Sequence, residues 1–220
     1  MIVAPQKIQR PALCEVWQQI TVESCPREYN FHLHTLASDG QMHPHHLIDQ
    51  ALNLGLKGLA ITDHHSTRGY ADARAYLEAH APEATLHLWT GVEINAHLLG
   101  AEVHILGYDF DPQHPAMLPF LIPPAEREPD ASEVVTAIHH AGGLAVLAHP
   151  FRYTQSGERL ITAAKDCLFD GVEAYYNYKN PNPWFPSPEQ TATAERLAKQ
   201  LGLYTTCGTD SHGLSITRRI

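Results

Sequence analysis

Residues 30–40 read Asn-Phe-His-Leu-His-Thr-Leu-Ala-Ser-Asp-Gly, and the prediction of the fold starts from the central His32-Leu33-His34. Alternate residues of a β-strand point to the same side, so His32 and His34 are expected to present two imidazoles in one direction. Asp39 follows after a turn at which Gly40 relaxes the backbone. Two histidines with a nearby carboxylate suit Zn, Mn or Fe, although a half-buried strand with two hydrogen-bonded histidines has the same spacing.

The composition is that of an acidic globular protein rich in histidine. A chain of 220 residues supplies one sizeable core, which predicts one domain. Its formal net charge of −9 argues against a protein that tracks along a nucleic-acid backbone, because such proteins need a basic surface. Sixteen histidines indicate metal or proton chemistry. Cys14, Cys25, Cys167 and Cys207 have no Cys-x-x-Cys spacing, which argues against a zinc ribbon or a disulfide framework.

Neither a membrane span nor a leader is predicted. No apolar run approaches the length of a transmembrane helix. Residues 1–9 lack the charged start and the apolar stretch of a signal peptide. We therefore expect a cytoplasmic protein without a membrane partner.

Short apolar strands alternate with helical patterns, and this alternation predicts an α/β fold with a mostly parallel sheet. The predicted strands after the opening one cover residues 58–62, 86–92, 144–148, 171–175 and 203–207, and the predicted helices cover about 44–55, 68–79, 131–141, 158–166 and 187–202. Residues 95–110 are predicted to form a hairpin that turns near Gly100, and the proline-rich residues 112–129 a surface loop.

Polar residues follow nearly every predicted strand at its C-terminal end. The set comprises His32 and His34, Asp63 and His64, Glu93, His149, Glu173, and Asp210 and His212. In a closed β/α barrel these ends meet at one face, where such enzymes build their active sites. Surface histidines without a common function are not expected to follow strand ends in this way.

Nine residues are candidate metal ligands. They are His32, His34, His64, His104, His149 and His212, together with Asp39, Glu93 and Asp210. Nine ligands are too many for one ion, so we predict two or three ions with Glu93 as a bridging carboxylate. Three divalent ions against three carboxylates leave a charge of about +3, which attracts a phosphate group. Hydrolysis of a phosphoester by attack of a metal-bound hydroxide is the chemistry that such a site favours.

Four further residues have predicted supporting roles. Arg152 is a candidate phosphate clamp because a guanidinium matches phosphate oxygens bidentately. His65 is a second candidate substrate-binding residue, the alternative being a side chain that faces solvent. We expect Asp63 to orient a ligand histidine. Glu173 either does the same or pairs with an arginine or lysine.

Seven short motifs follow one another along the chain: His32-x-His34, Ser38-Asp39-Gly40, Thr62-Asp63-His64, Gly91-Val92-Glu93, His104-x-Leu106-Gly107-Tyr108, Ala148-His149-Pro150 and Gly208-Thr209-Asp210-Ser211-His212. In this order they resemble the motifs of the PHP (polymerase and histidinol phosphatase) superfamily, over about residues 30–213. The resemblance implies a distorted (β/α)7 barrel with a trinuclear Mn, Zn or Fe site at the C-terminal ends of the strands. It also implies a PHP domain over 30–220, with 112–129 as a proline-rich loop and 1–29 as an N-terminal extension that packs on the barrel.

Carried over motif by motif, the resemblance implies one ligand set for each of three ions. The sets are His32, His34, Glu93 and Asp210; Asp39, His64 and His212; and Glu93, His104 and His149. Catalytic roles are assigned to Asp210, His212 and Glu93.

The chain resembles most the bacterial TrpH/YciV-like branch, to judge from residues 111–117 and 148–153. That branch releases phosphate from nucleoside 3′,5′-bisphosphates or trims short RNA from the 5′ end. The implied function is a metal-dependent phosphoesterase for a small phosphorylated substrate, either such a bisphosphate or the 5′ end of a short oligonucleotide. Two departures are expected: the helical insertion of the branch is replaced by residues 112–129, and the last barrel helix is missing or replaced by residues 1–29.

Three alternatives stay open. A histidinol-phosphate phosphatase would use the same ligands, but no imidazole pocket is marked in the sequence. A non-catalytic metal-binding PHP module would be favoured by the loss of a ligand, and all nine are present. An amidohydrolase on a similar barrel would usually have a carboxylated lysine at a strand end, whereas Lys57 lies at a strand start.

Overall fold

A computed structural model describes residues 12–122 and 128–220 of the chain. The strands are β1 Tyr29–Asn30, β2 Gly58–Ala60, β3 His87–Trp89, β4 Gly91–Leu98, β5 Ala101–Tyr108, β6 Leu144–Leu147, β7 Gly171–Tyr175 and β8 Tyr204–Cys207. The helices are α1 Leu13–Trp17, α2 Pro44–Leu54, α3 Arg68–His80, α4 Ala131–His140, α5 Gly157–Asp166 and α6 Pro188–Leu201, with a 3-10 turn at Leu118–Phe120. Among these described helices, none has the length and apolar character needed to cross a membrane.

The strands form two sheets of a mixed α/β fold, and parallel strand pairs outnumber antiparallel ones. One sheet has the parallel order β1-β2-β3, and the other has the order β4-β5-β6-β7-β8. In the second sheet β6, β7 and β8 are parallel, whereas β5 is antiparallel to both β4 and β6. The predicted hairpin is confirmed, since β4 and β5 pair antiparallel on either side of Leu99 and Gly100, which have φ angles of 52° and 73°.

Two short bridges join the sheets, and three of their four residues lie beyond the end of a strand, whereas Glu93 lies within β4. Leu33 makes a parallel bridge with Ser211, and His64 makes one with Glu93. Within the described residues the ladders therefore form two linked sheets, rather than the single continuous barrel that the family resemblance implies. The bridges hold side by side the strand ends that carry the candidate ligands.

Local sequence explains where α2 begins and ends. Pro44 occupies the first turn, where its missing N–H costs nothing. Gly55 ends the helix with a φ of 70°, a conformation that glycine adopts without strain. Leu47, Ile48 and Ala51 are buried, so the predicted apolar face is the one that packs inward.

The segment before β1 packs into the main core. Trp17 of α1 is buried with its ring centroid 5.4 Å from that of Tyr108 and 6.2 Å from that of Phe31. The division of the chain into an extension over 1–29 and a domain over 30–220 stays a prediction. Residues 1–11 of the extension and 123–127 of the predicted loop 112–129 lie outside the described residues.

Candidate metal centre and adjoining cavity

All nine predicted ligands lie in one cluster, to which β4 and β5 contribute Glu93 and His104 from within the strands and the segments that follow other strands contribute most of the rest. Four groups have potential ligand atoms within 4.8 Å of one another: His32, His34, Glu93 and Asp210; His34, Asp39, His64 and His212; His64, Glu93 and His104; and His32, His149 and Glu173. We call this cluster the histidine centre. Glu173 is the one member that was not predicted as a ligand.

Glu93, on β4, lies in the middle of the histidine centre and is almost fully buried. Its Oε2 atom is 3.0 Å from the Nε2 atoms of both His32 and His34. Its Oε1 atom is 2.7 Å from Nδ1 of His104 and 3.2 Å from Nε2 of His149. The two oxygens of one carboxylate thus face two different pairs of histidines.

Asp210 follows β8 and adopts a left-handed φ of 54°. Its Oδ1 atom is 3.4 Å from Nε2 of His32 and 3.2 Å from Nε2 of His34. Asn and Asp tolerate this backbone region better than most residues do. The turn directs one oxygen of Asp210 into the histidine centre.

The other oxygen of Asp210 faces away from the histidines and accepts three hydrogen bonds. The donors are Nη1 of Arg152 at 2.9 Å, the Tyr176 hydroxyl at 2.7 Å and Nε of Arg219 at 2.8 Å. Arg152 therefore lies beside the centre, as predicted for a phosphate clamp, but its role stays a prediction. Arg219 was not predicted at all.

Asp39 forms the exposed edge of the centre. Its Oδ2 atom is 3.2 Å from Nε2 of His212 and 3.9 Å from Nε2 of His64, and Oδ1 is 3.5 Å from Nδ1 of His34. The Asp39 side chain is 53% exposed, whereas that of His34 is fully buried. A substrate would therefore reach the centre from the side of Asp39, His64 and His212.

Glu173 supports two ligand candidates at once. Its Oε1 atom is 2.9 Å from Nδ1 of His32, and its Oε2 atom accepts the backbone N–H of His149 at 2.9 Å. Of its two predicted roles, the structure thus favours orientation of a histidine. Gly208 permits this arrangement, because a Cβ there would overlap the His32 side chain and lie 2.7 Å from Glu173 Oε1.

Asp63 does not orient a histidine, which corrects the sequence-based expectation. Its carboxylate accepts the backbone N–H of Thr35 at 2.7 Å, the Thr35 hydroxyl at 2.8 Å and the Ser38 hydroxyl at 2.7 Å. Asp63 instead fixes the turn that carries Asp39. Gly69 at the start of α3 leaves room for it, since a Cβ there would overlap the Asp63 carboxylate.

His65 is also placed differently from the prediction. Its Nε2 atom accepts the backbone N–H of Asn95 at 3.3 Å, so Nδ1 is the protonated nitrogen and donates to the carbonyl oxygen of Phe120 at 3.0 Å. The side chain is buried with both nitrogens engaged. His65 therefore ties β4 to the 3-10 turn, and neither of its ring nitrogens is left unpaired for the predicted contact with substrate.

Burial and neighbouring charges shift the pKa values of the histidine centre when no cation is bound. Burial alone would lower the pKa of His34, but the Asp210 and Glu93 carboxylates outweigh it and raise that pKa to about 9. Burial lowers the pKa of His64 to about 4. Burial opposes ionisation of Glu93, yet the nearby His32 and His104 keep its pKa well below the ordinary value. Glu93 is thus ionised, and His34 and His64 differ in protonation.

The donor set fits divalent cations. His34 is fully buried, and within the described residues neither of its ring nitrogens has a hydrogen bond of acceptable geometry. A buried polar atom without a partner is costly, and a cation between the imidazoles and carboxylates would satisfy it. Imidazole nitrogens and carboxylate oxygens are ligands for divalent metal ions.

A cavity of about 140 Å³ opens beside the second oxygen of Asp210. It is lined by Arg152, Tyr176, Asn177, Tyr178, Asn180 and Arg219. We call it the arginine cavity. Sequence reasoning identified Arg152 from its place after a strand-end motif, whereas Arg219 belongs to a segment without periodicity or motif.

The PHP domain family model matches residues 30–177. The 5′-3′ exoribonuclease Rnm of Salmonella typhimurium is 29% identical, with 84% of this chain and 85% of that protein aligned. A 3′,5′-nucleoside bisphosphate phosphatase of Chromobacterium violaceum is 32% identical over 53% of this chain and 39% of that protein. The alignment with Rnm has 257 positions, which is more than the 220 residues of this chain. Rnm therefore contains residues that have no counterpart in this chain.

Two solved structures have a similar fold. An amidohydrolase from Chromobacterium violaceum with bound sulfate and no metal has a TM-score of 0.72 at 22% identity, with 88% of this chain and 90% of that chain covered. A protein from Bifidobacterium adolescentis named as a metal-dependent phosphoesterase has a TM-score of 0.71 at 22% identity, with coverages of 86% and 88%. Since the family model covers more than half of its length, the chain belongs to the PHP domain family, and its curated relatives are hydrolases of phosphoric esters.

Proposed function

We propose that this protein is a metal-dependent phosphoesterase that uses three divalent ions, Mn, Zn or Fe, to hydrolyse a small phosphorylated nucleotide. The substrate is a nucleoside 3′,5′-bisphosphate or the 5′ end of a short oligonucleotide. The relatives named as an exoribonuclease and as a bisphosphate phosphatase support this substrate class.

The observation that carries the proposal is the position of Glu93. Each of its oxygens faces its own pair of histidines, at 2.7–3.2 Å. A carboxylate between two sets of nitrogen donors is the arrangement expected of a bridge between two cations. The orphaned ring of His34 supports the same conclusion.

We assign the ligands to three ions as the family resemblance implies. The sets are His32, His34, Glu93 and Asp210; Asp39, His64 and His212; and Glu93, His104 and His149. The first set coincides with one of the geometric groups, and the second lies within another. The proposed catalytic residues are Asp210, His212 and Glu93.

A distorted seven-stranded barrel is the architecture proposed to hold these ligands. The bridges Leu33–Ser211 and His64–Glu93 link the two sheets at both sides. With β3 and β4 taken as one strand interrupted at Thr90, the linked sheets would form a ring of seven strands.

Several imidazoles have a contact on one ring nitrogen that leaves the other nitrogen facing the middle of the centre. His32 contacts Glu173 through Nδ1, and His212 donates from Nδ1 to the backbone carbonyl of Asp210 at 2.8 Å. Nδ1 of His149 is 3.0 Å from the Tyr153 hydroxyl. The Nε2 atom of each ring is thereby left as the potential ligand, and the outer contact fixes its orientation.

Bound divalent ions would supply a nucleophilic hydroxide at neutral pH and would stabilise the charge that develops on the phosphoryl oxygens. Arg152, beside Asp210, would bind phosphate oxygens and orient the ester for attack. His212 lies on the exposed side of the centre, where the leaving group would depart.

The amidohydrolase alternative receives less support from the geometry. Lys57 is exposed and its ammonium group lies 2.8 Å from a carboxylate oxygen of Glu28, away from the histidine centre.

The proposal is tested by elemental analysis of the purified protein together with phosphate release from adenosine 3′,5′-bisphosphate in the presence of Mn. We expect two to three equivalents of metal and release of phosphate. Bound metal without turnover of this substrate or of a short 5′-phosphorylated RNA would contradict the proposed activity. Absence of metal after reconstitution would contradict the ligand assignment.

A matched pair of histidine variants sharpens this test. His34→Ala removes a buried ligand candidate, and turnover should be lost while the circular dichroism spectrum stays the same. His43→Ala removes an exposed histidine just before α2 and should leave both unchanged. Equal activity of the two variants would refute the role given to His34.

A further inference from the structure

Tyr153 lies in the turn that follows β6, next to two of the proposed metal ligands. The backbone N–H of Arg152 donates to the carbonyl oxygen of His149 at 3.0 Å, and this turn brings Tyr153 back beside the strand end. The ring centroid of Tyr153 is 5.5 Å from that of His149 and 6.2 Å from that of His104. Both histidines belong, with Glu93, to the set assigned to the third ion.

The Tyr153 hydroxyl completes the backbone hydrogen bonding of β5. Because β6 ends at Leu147, which pairs with Ile105, His104 lies opposite the first residue beyond β6. The carbonyl oxygen of His104 still accepts the backbone N–H of Ala148 at 3.1 Å. The backbone N–H of His104 donates instead to the Tyr153 hydroxyl, at 2.8 Å. A side-chain oxygen thus takes the place of a backbone acceptor at a ligand residue.

The same hydroxyl has two further hydrogen-bond partners. The carbonyl oxygen of Ala148 lies 3.2 Å away, and Nδ1 of His149 lies 3.0 Å away. A hydroxyl group has one proton to donate and two lone pairs that accept. The N–H of His104 can only donate and the carbonyl of Ala148 can only accept. All three partners are therefore satisfied together when Nδ1 of His149 donates to the hydroxyl oxygen.

This arrangement prepares His149 to bind a cation. A neutral imidazole that carries its proton on Nδ1 has a free lone pair on Nε2. Nε2 of His149 is 3.2 Å from Oε1 of Glu93, and Nδ1 of His104 is 2.7 Å from the same oxygen. The Tyr153 hydroxyl thus orients the ring of one ligand and holds the backbone of the other, on either side of one carboxylate oxygen.

We propose that Tyr153 is a positioning residue that sets the affinity of the third ion, through the ring of His149 and the backbone of His104 together. The inference rests on the proposed three-ion centre and gives one of its ions a dedicated support. Within the described part of the chain, the hydroxyl has no hydrogen bond to a ligand of the other two sets. Loss of such a supporting contact typically weakens metal binding by about tenfold to a hundredfold.

The binding test compares Tyr153→Phe, which removes the hydroxyl and keeps the ring, with a matched tyrosine variant. Tyr178→Phe is the control, because the Tyr178 hydroxyl also accepts a backbone N–H in this turn, that of Phe151 at 3.3 Å. Chelator-treated proteins are titrated with Mn²⁺, and the free ion is measured by electron paramagnetic resonance.

We expect three equivalents of Mn²⁺ in the wild-type protein. In Tyr153→Phe, one equivalent should bind about tenfold to a hundredfold more weakly, while the other two keep their wild-type affinities. Tyr178→Phe should bind all three as the wild type does. Both variants leave a backbone N–H without its acceptor, so a loss of stability alone would affect them alike.

The dependence of turnover on Mn²⁺ concentration provides a second readout. For Tyr153→Phe, half-maximal phosphate release from adenosine 3′,5′-bisphosphate should need about tenfold to a hundredfold more Mn²⁺. Excess Mn²⁺ should restore turnover, because mass action fills a weakened site. A residue with only a structural role would lower the Tm without changing this concentration.

Two results of the titration would overturn the inference. They are equal Mn²⁺ affinities in Tyr153→Phe and the wild type, and weaker binding of all three ions in Tyr153→Phe. Only two equivalents in the wild-type protein would overturn it as well, since no third ion would then be bound.

The same experiments separate this inference from the proposed function. If one equivalent is selectively weakened in Tyr153→Phe while the wild type releases no phosphate, the positioning role stands and the proposed activity fails. If the wild type releases phosphate and Tyr153→Phe binds Mn²⁺ as the wild type does, the activity stands and the positioning role fails.

Discussion

The two oxygens of Asp210 face two regions that are built in different ways. Oδ1 faces the histidine centre, whose ligands lie within strands or follow them and are mostly buried. Oδ2 faces the arginine cavity, whose residues come from the loops after β6 and β7 and from residues 213–219. One carboxylate therefore lies between a centre built largely on strands and a cavity built on loops.

This difference suggests that the histidine centre carries out the reaction and that the arginine cavity selects the substrate. Ladder hydrogen bonds fix the positions of strand ends, and a multinuclear site needs that accuracy. Loops tolerate change in sequence and length, so they are where substrate preference is adjusted. We expect substitutions in the histidine centre to affect every substrate, and substitutions in the arginine cavity to discriminate among substrates.

Asp210→Asn should have the largest effect, because it alters both regions at once. Asn accepts the left-handed backbone but lacks the charge that the centre and the two arginines need. Turnover should fall about a hundredfold or more, the upper range for loss of a metal-site contact. Steady-state kinetics and metal content measure this, with exposed Asp72→Asn as the control. Normal activity in Asp210→Asn would remove this residue from the site.

Gly208→Ala should disturb the histidine centre without removing any ligand. The added methyl group would overlap His32, and relieving such crowding costs about 1–3 kcal/mol of folding free energy. We expect a lower Tm and reduced metal content. Gly100→Ala is the control, because an added Cβ at Gly100 would meet open space. The φ of 73° at Gly100 disfavours alanine, so this variant should have a lower Tm but full metal content. Equal metal content in both variants would contradict the crowding argument.

Arg152→Ala should act on the cavity side and mainly raise KM. Loss of a guanidinium contact to phosphate predicts an increase of about tenfold, with a smaller change in kcat. The measurement is a full substrate-saturation curve for adenosine 3′,5′-bisphosphate. An unchanged KM would exclude Arg152 from phosphate binding.

The pH dependence of stability should differ between metal-free and metal-loaded protein, and this is the smallest effect. In the metal-free protein the pKa of His34 is raised to about 9 from an ordinary 6.5, so its contribution is complete below pH 6.5 and is lost as the pH rises to 9. Metal loading should reverse this slope, because ligands bind ions in their deprotonated form. Thermal unfolding between pH 6.5 and 9, with and without chelator, tests the sign. Parallel curves would contradict it.

The histidine centre was largely predictable because its residues obey a rule of position. Alternation of strands and helices places His32, His149 and Asp210 after strands, and parallel strands bring such ends to one edge, whereas Glu93 and His104 lie within β4 and β5. The rule does not extend to residues next to the ligands. His65 follows His64 directly, yet its φ of 48° turns the chain so that its ring packs against the 3-10 turn.

Arg219 could not be predicted, because its position depends on long-range contacts. The segment that carries it folds back through hydrogen bonds to Asn30 and Gln50, which are far away in sequence. Neither periodicity nor motif spacing encodes such contacts. The closed barrel was expected from the resemblance, and the ladders show sheets of three and five strands that the bridges Leu33–Ser211 and His64–Glu93 link.

The crowding at Gly69 and Gly208 has a consequence for random mutagenesis. Neither glycine contributes a ligand, but a side chain at either position would press on Asp63 or His32. A library sorted by activity should therefore contain two classes of inactive clone. Clones altered at a ligand would be inactive but abundant in the soluble fraction. Clones altered at these glycines would be inactive and scarce. The expression level would therefore distinguish loss of a ligand from loss of packing.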